Sequence, residues 1–155
     1  MIDNITESIA NFLSYVLFLM VILIVISILF RFIFNISDIA IQELIMYLHA
    51  VLFMFGISYA LKENSHVKID VIYNTLNKRA QRVISIAGLV SFILPTALFI
   101  IYISVDMATQ SWIILEGSSE AGGLNLVFIL KSLIPITGVL IFLQGMSELI
   151  KHIRV

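Results

Sequence analysis

Four long apolar stretches fill most of this chain, and a water-soluble fold has no way to hide them. Ile9 to Phe30 runs for 22 residues without a charge. At 1.5 Å rise per residue, a helix of that length slightly exceeds a hydrocarbon core of roughly 30 Å. Sixteen of the 22 are Leu, Ile, Val or Phe, which favours insertion by at most about 5 to 10 kcal/mol on a helix-centre scale. The first span is therefore placed at about 9–34. The second, about 39–61, carries Gln42, Glu43 and His49; the third, about 83–105, is uncharged; the fourth, about 124–150, contains Lys131 and Pro135. Each is long enough to cross once. With 61% hydrophobic and only 12% charged residues, the chain lacks the polar surface to cover a soluble globule, so lipid must cover part of it. The expected fold is an all-α membrane protein, one domain over 1–155, with four transmembrane helices.

An N-terminal apolar run can also be a signal peptide. Here Asp3 and Glu7 replace the basic n-region and the stretch is too long, so the first helix is expected to be retained. If both termini lie on one side, that side holds Lys62, Lys68, Lys78, Arg79, Arg82, Lys151 and Arg154, against Arg31 and Lys131 opposite. The positive-inside rule then places both termini in the cytoplasm. Asp106, Glu116 and Glu120 face outward. The absence of cysteine excludes disulfides and thiolate chemistry, and no basic tail or patch suggests nucleic acid.

Between the second and third spans, Ile69, Ile72, Tyr73, Leu76, Ala80 and Val83 fall within about 100° of helical arc, with Asp70, Asn74, Lys78, Gln81 and Arg82 on the remainder. This predicts an amphipathic helix over about 67–82, lying in the cytoplasmic interface against membrane lipid. A solvated loop is the rival, since Val71 falls on the polar side. Glu116 to Gly123, with three glycines and two serines, reads as a flexible outer loop. Pro95 and Pro135 lie inside spans, where neighbouring helices can satisfy the freed carbonyls.

Small and polar residues mark protein-facing sides of a membrane helix, because close backbone approach drives packing there. Gln42, His49, Gly56 and Ala60 share one face of the second helix. Lys131, Gly138 and Gly145 recur seven apart in the fourth, so two stripes suit another helix. Glu43 and Lys131 are charges within spans and so functional candidates. Either both reach to the outer interface, or they pair, with Asp106 as the rival partner. His49 reads as a hydrogen-bonded packing residue; a haem ligand pair needs a second membrane histidine, and His66 and His152 lie in cytoplasmic segments. No nucleophile, metal, phosphate or selectivity-filter motif appears, so no catalytic, cofactor, metal or substrate site is expected. Four helices without a pathway of their own point to an accessory subunit.

Several segments, taken in order, resemble the small permease subunit of tripartite ATP-independent periplasmic (TRAP) transporters, the DctQ-like family. They are Arg31-Phe32-Ile33-Phe34-Asn35, Gln42-Glu43-Leu44, Tyr59-Ala60-Leu61-Lys62-Glu63 and His66-Val67-Lys68-Ile69-Asp70-Val71-Ile72-Tyr73. Further on stand Gly122-Gly123, Lys131, Ile134-Pro135 and Gln144-Gly145. The His-Val-Lys-Ile-Asp piece is the most specific. Gln42 stands where that family often has a second acid, Met46 where a basic residue is common, and Asn64-Ser65 where glycines are usual. The resemblance implies a sodium-coupled importer in which a periplasmic binding protein delivers an organic anion to a large membrane subunit. This chain would buttress that subunit as part of the static scaffold of an elevator-type mechanism. Substrate and sodium sites lie in the large subunit, so none is carried over. Arg31, Asn35, His66, Lys68 and Asp70 are the expected loop-fixing residues, and the acidic third loop is expected to help receive the binding protein. The competing readings are a homo-oligomeric small transporter or channel lined by Glu43 and His49, and a haem-bearing membrane anchor.

Overall fold

The computed structural model describes residues 2–63 and 77–154. Every regular element among them is helical: α1 Ile2–Phe34, α2 Ile39–Lys62, α3 Lys78–Ile113 and α4 Val127–Arg154. All four are long and apolar enough to cross a membrane. α1 and α3, with 33 and 36 residues, are about 50 Å long and outrun a hydrocarbon core.

The helices stand nearly in a row. α1 packs on α2, α2 on α4 and α4 on α3, while α1 meets α4 along a short stretch only. A row has two broad outer faces and little interior, which is why the buried apolar set among the described residues is as short as Leu13, Val16, Tyr47, Leu61, Leu89, Ala97, Ala108 and Leu133. Lipid takes the place of a missing core. Asp3 and Lys151 form an ion pair at 2.8 Å, so both termini share one end of the bundle. We call it the basal end, and the opposite end, with the 35–38 and 114–126 loops, the distal end.

The tightest contact is between α3 and α4. Ala97, Ser104, Ala108 and Ser111 are buried on α3, spaced seven, four and three apart, the 3.5-residue repeat of a left-handed helix pair. Facing them on α4, a Cβ added to Gly138 would stand 2.8 Å from Ile101 Cγ1 and 3.3 Å from the Ala97 carbonyl, and one on Gly145 3.1 Å from Leu94 Cδ2. The Gly138 and Gly145 stripe, expected to receive a foreign helix, is thus occupied within the chain. At this contact two buried hydroxyls answer to their own helices: Ser104 Oγ donates to the Ile100 carbonyl at 2.6 Å and Thr137 Oγ1 to that of Leu133 at 2.7 Å, so burying these two leaves neither donor unpaired.

Pro95 shapes α3. It has no N–H to offer the preceding turn, and the helix passes through a π-helical turn at Leu89–Ile93 in which the Leu94 N–H reaches the Leu89 carbonyl. Pro135 lies within α4. Of the expected interfacial helix, 67–76 lies outside the described residues, as do His66, Lys68 and Asp70. From Lys78 on, the rest of that segment forms the amphipathic first turns of α3, which Asn77 caps by accepting from the Ala80 N–H at 2.8 Å.

Candidate functional site

Polar side chains gather at the two ends of the row. At the distal end, α1 stops at Phe34 because Asn35 adopts φ 51°, a left-handed conformation that Asn tolerates better than most side chains. The Ile36 N–H then donates to the Phe30 carbonyl at 3.4 Å. Asp38 restarts the chain as a helix by accepting from the Ala40 N–H at 2.8 Å, the N-cap interaction that Asp favours. Arg31 is exposed in the last turn of α1, where a cation complements the helix dipole.

α3 ends on a Schellman turn: the Glu116 N–H donates to the Ser111 carbonyl at 3.0 Å and the Leu115 N–H to that of Trp112 at 3.2 Å. This puts Leu115 at φ 48°, a strained position normally taken by glycine. The turn aims Glu116 back at the bundle. Its Oε2 accepts from Lys131 Nζ at 2.5 Å and from Ser111 Oγ at 2.7 Å. These two donors, Lys131 first, hold the Glu116 carboxyl below the usual carboxylate range. Trp112 adds an edge contact to Phe128, with centroids 4.6 Å apart, and its Nε1 donates to Ser132 Oγ at 2.6 Å.

The loop above closes on itself and on α2. The Ser118 N–H donates to the Leu124 carbonyl at 3.0 Å. Glu43 reaches across from α2, accepting from the Ser118 hydroxyl and, at 2.6 Å, from the Leu124 N–H. Gly122 supplies φ 85° for the turn. Gly123 is required by proximity: a Cβ there would lie 2.6 Å from Ser118 Cβ and 2.7 Å from Glu43 Oε1. One sequence expectation changes accordingly, and one of two open alternatives for Glu43 and Lys131 falls away. The 116–123 segment is a closed, latched loop rather than a free tether. Glu43 and Lys131 do not pair with each other, since each finds its partner in that loop, and Asp106 accepts from Gln110 instead, at 3.1 Å.

At the basal end lies a network that the sequence reading missed. Gln144 of α4 is fully buried. Its Oε1 accepts from Thr6 Oγ1 at 2.8 Å, and its Nε2 donates to Asp3 Oδ1 and to Glu148 Oε1, both at 3.1 Å. Lys151 donates to Glu148 at 2.7 Å and to Asp3 at 2.8 Å, and Ser147 Oγ donates to Asp3 at 3.2 Å. One helical turn on from Asp3, Glu7 pairs with Lys62 of α2 at 3.2 Å. The start of α1 is thus tied to α4 and α2 together. Asp3, Thr6 and Glu7 share one helix face, as do Gln144, Ser147, Glu148 and Lys151; those i, i+3, i+4 and i+7 spacings were the available signal.

His49 falls in neither cluster. It is exposed on the outside of α2 and makes no hydrogen bond with the described residues, so among them it is not the hydrogen-bonded packing residue expected from the sequence. Among the described residues no group of three His, Asp or Glu is placed to hold a metal ion.

Both clusters join helices to one another. Residues 20–155 match the family described as tripartite ATP-independent periplasmic transporters, DctQ component. The chain belongs to this family. No curated protein matches it. Membership makes it the small subunit of a TRAP transporter, a multi-pass membrane component of a transport system and not an enzyme. The DctQ assignment also implies a large membrane subunit and a periplasmic binding protein as its partners.

Proposed function

We propose that this subunit is a static scaffold in the bacterial inner membrane, both termini cytoplasmic, that braces the large subunit while the latter imports an organic anion by sodium coupling. The observation that carries this reading is the double clamp. Polar side chains at the basal and distal ends tie the helices to one another, so the row resists shear when a neighbouring domain slides past it. A transport path would instead need polar groups facing a cavity. Glu43, the carboxylate best placed to line one, is engaged by Ser118 and Leu124.

Orientation follows from charge. Lys62 and Lys151 stand in the basal clamp, and by sequence seven of the nine Lys and Arg belong to that side, which makes it cytoplasmic by the positive-inside rule. The distal loop then faces the periplasm. With Glu116 taken by Lys131, exposed Glu120 is the acid left to meet the binding protein.

Proteoliposomes test the reading. Vesicles holding this chain alone are expected to take up no organic acid under an inward sodium gradient. Adding the large subunit and its binding protein should give sodium-dependent uptake, and omitting this chain should abolish it. Uptake by the chain alone refutes the scaffold role.

A further inference from the structure

Tyr47 of α2 is 9% exposed, and its hydroxyl is the single buried side-chain polar atom among the described residues that has no hydrogen-bond partner. An unpaired buried hydroxyl forfeits the bonds it makes with water in the unfolded chain, so its retention asks for a reason. The group nearest to satisfying it is Glu43. The two stand four residues apart on one face of α2, and helical side chains lean toward the N-terminus, so Tyr47 reaches up toward Glu43 and the distal loop. The Glu43 charge bears on the Tyr47 hydroxyl. A carboxylate accepts strongly from an O–H donor, yet both oxygens of Glu43 are engaged elsewhere: Oε1 accepts from the Ser118 hydroxyl and Oε2 from the Leu124 N–H.

Among the described residues those two bonds are all the hydrogen bonding that joins the 116–126 loop to α2. The other ties of the loop leave α2 out. The Ser118 N–H holds the Leu124 carbonyl at 3.0 Å, the Phe128 N–H holds that of Glu116 at 3.3 Å, and Glu116 is fixed to Lys131 and Ser111. The loop is therefore a preformed lip, based on α3 and α4 and held to α2 by one side chain. Ser118 and Leu124 are half-buried beside exposed Ser119 and Glu120, so on release water can take over their donors. The buried tyrosine has no such recourse.

We propose that Glu43 is a two-position latch: it holds the 116–126 loop shut through Ser118 and Leu124, and when the loop lifts it swings to accept from the Tyr47 hydroxyl, making the open loop a second defined state. The unpaired hydroxyl raises the closed state and its pairing lowers the open one, which brings the two within reach of each other. The Glu116–Lys131 pair and the helix packing persist in both, so the lip moves on an unmoving bundle. This inference is independent of the scaffold reading.

Hydrogen exchange at the Leu124 amide, followed in the whole chain in nanodiscs, reads the opening. Tyr47→Phe takes the hydroxyl out of both states, so this exchange should slow by roughly fivefold or more, with no fall in melting temperature. Glu43→Ala should speed it, and adding Tyr47→Phe to Glu43→Ala should change the rate by less than about twofold, because the hydroxyl acts only through the carboxylate. Unchanged or faster exchange in Tyr47→Phe overturns the latch; the faster rate would mean that the hydroxyl supports the closed loop, as it would through a bridging water. An effect of Tyr47→Phe that persists in full without the Glu43 carboxylate overturns it as well.

Discussion

At the distal end a carboxylate grips the backbone: Glu43 accepts from the Leu124 N–H, and the surrounding loop closes through its own amides. At the basal end the grip is between side chains on helices, with Gln144 joining Thr6, Asp3 and Glu148. The first arrangement depends on glycines that let the loop come near. The second depends only on helix register. A bundle with both kinds of clamp is fixed at one end by loop shape and at the other by helix position.

The largest expected effect is therefore basal. Gln144→Leu removes three hydrogen bonds from a buried position and leaves Glu148 relying on Lys151, so the isolated subunit should lose about 2–3 kcal/mol; unfolding in mixed micelles measures it, and a loss under about 0.5 kcal/mol would erase the ranking of the two ends. Glu43→Gln keeps the shape but weakens one charge-assisted bond and turns an amide toward a donor, at a cost of about 1–2 kcal/mol. Faster proteolysis in the 116–126 loop, with the basal helix ends still protected, would show that the clamps act separately. Leu115→Gly should act in the opposite direction, stabilising by about 0.5–1 kcal/mol through relief of the left-handed strain; destabilisation would mean the leucine side chain matters more than its backbone.

The smallest effect concerns pH. The folded-state pKa of Glu116 is depressed by Lys131 and Ser111, so its contribution is present above the ordinary carboxylate pKa and fades as pH falls through the lowered value. A plot of stability against pH should drop across that acid window in the parent chain and flatten in Lys131→Met. An unchanged slope in the variant would remove Glu116 from the distal clamp.

The fold was legible in the sequence to the extent that lipid dictates it: length and apolarity give four helices whatever their neighbours are. The distal site was legible in pieces. Glu43, Lys131 and the Gly122-Gly123 pair each stood out, yet their partners did not, because a loop that brings Ser118 beneath Glu43 leaves no periodicity to read. The basal network was overlooked for another reason. Asp3 and Glu7 drew notice only as acids where a signal peptide has bases, and their partners lie far along the chain, Gln144 141 residues from Asp3 and Lys62 55 from Glu7. Gly138 and Gly145 were recognised as a contact surface, but spacing alone does not tell an internal neighbour from a foreign one.

The π-helical turn before Pro95 has a mechanical meaning. It places one residue too many in a turn of α3, rotating everything below it by roughly 100° relative to a plain α-helix. The amphipathic beginning of α3 and its small-residue seam against α4 are therefore phased independently, as two cams on a shaft are keyed separately. Deleting one residue from Leu89–Ile93 would lock them to a common phase and swing the basic Lys78 to Arg82 segment around the helix axis while Ala97 and Ser104 stay seated.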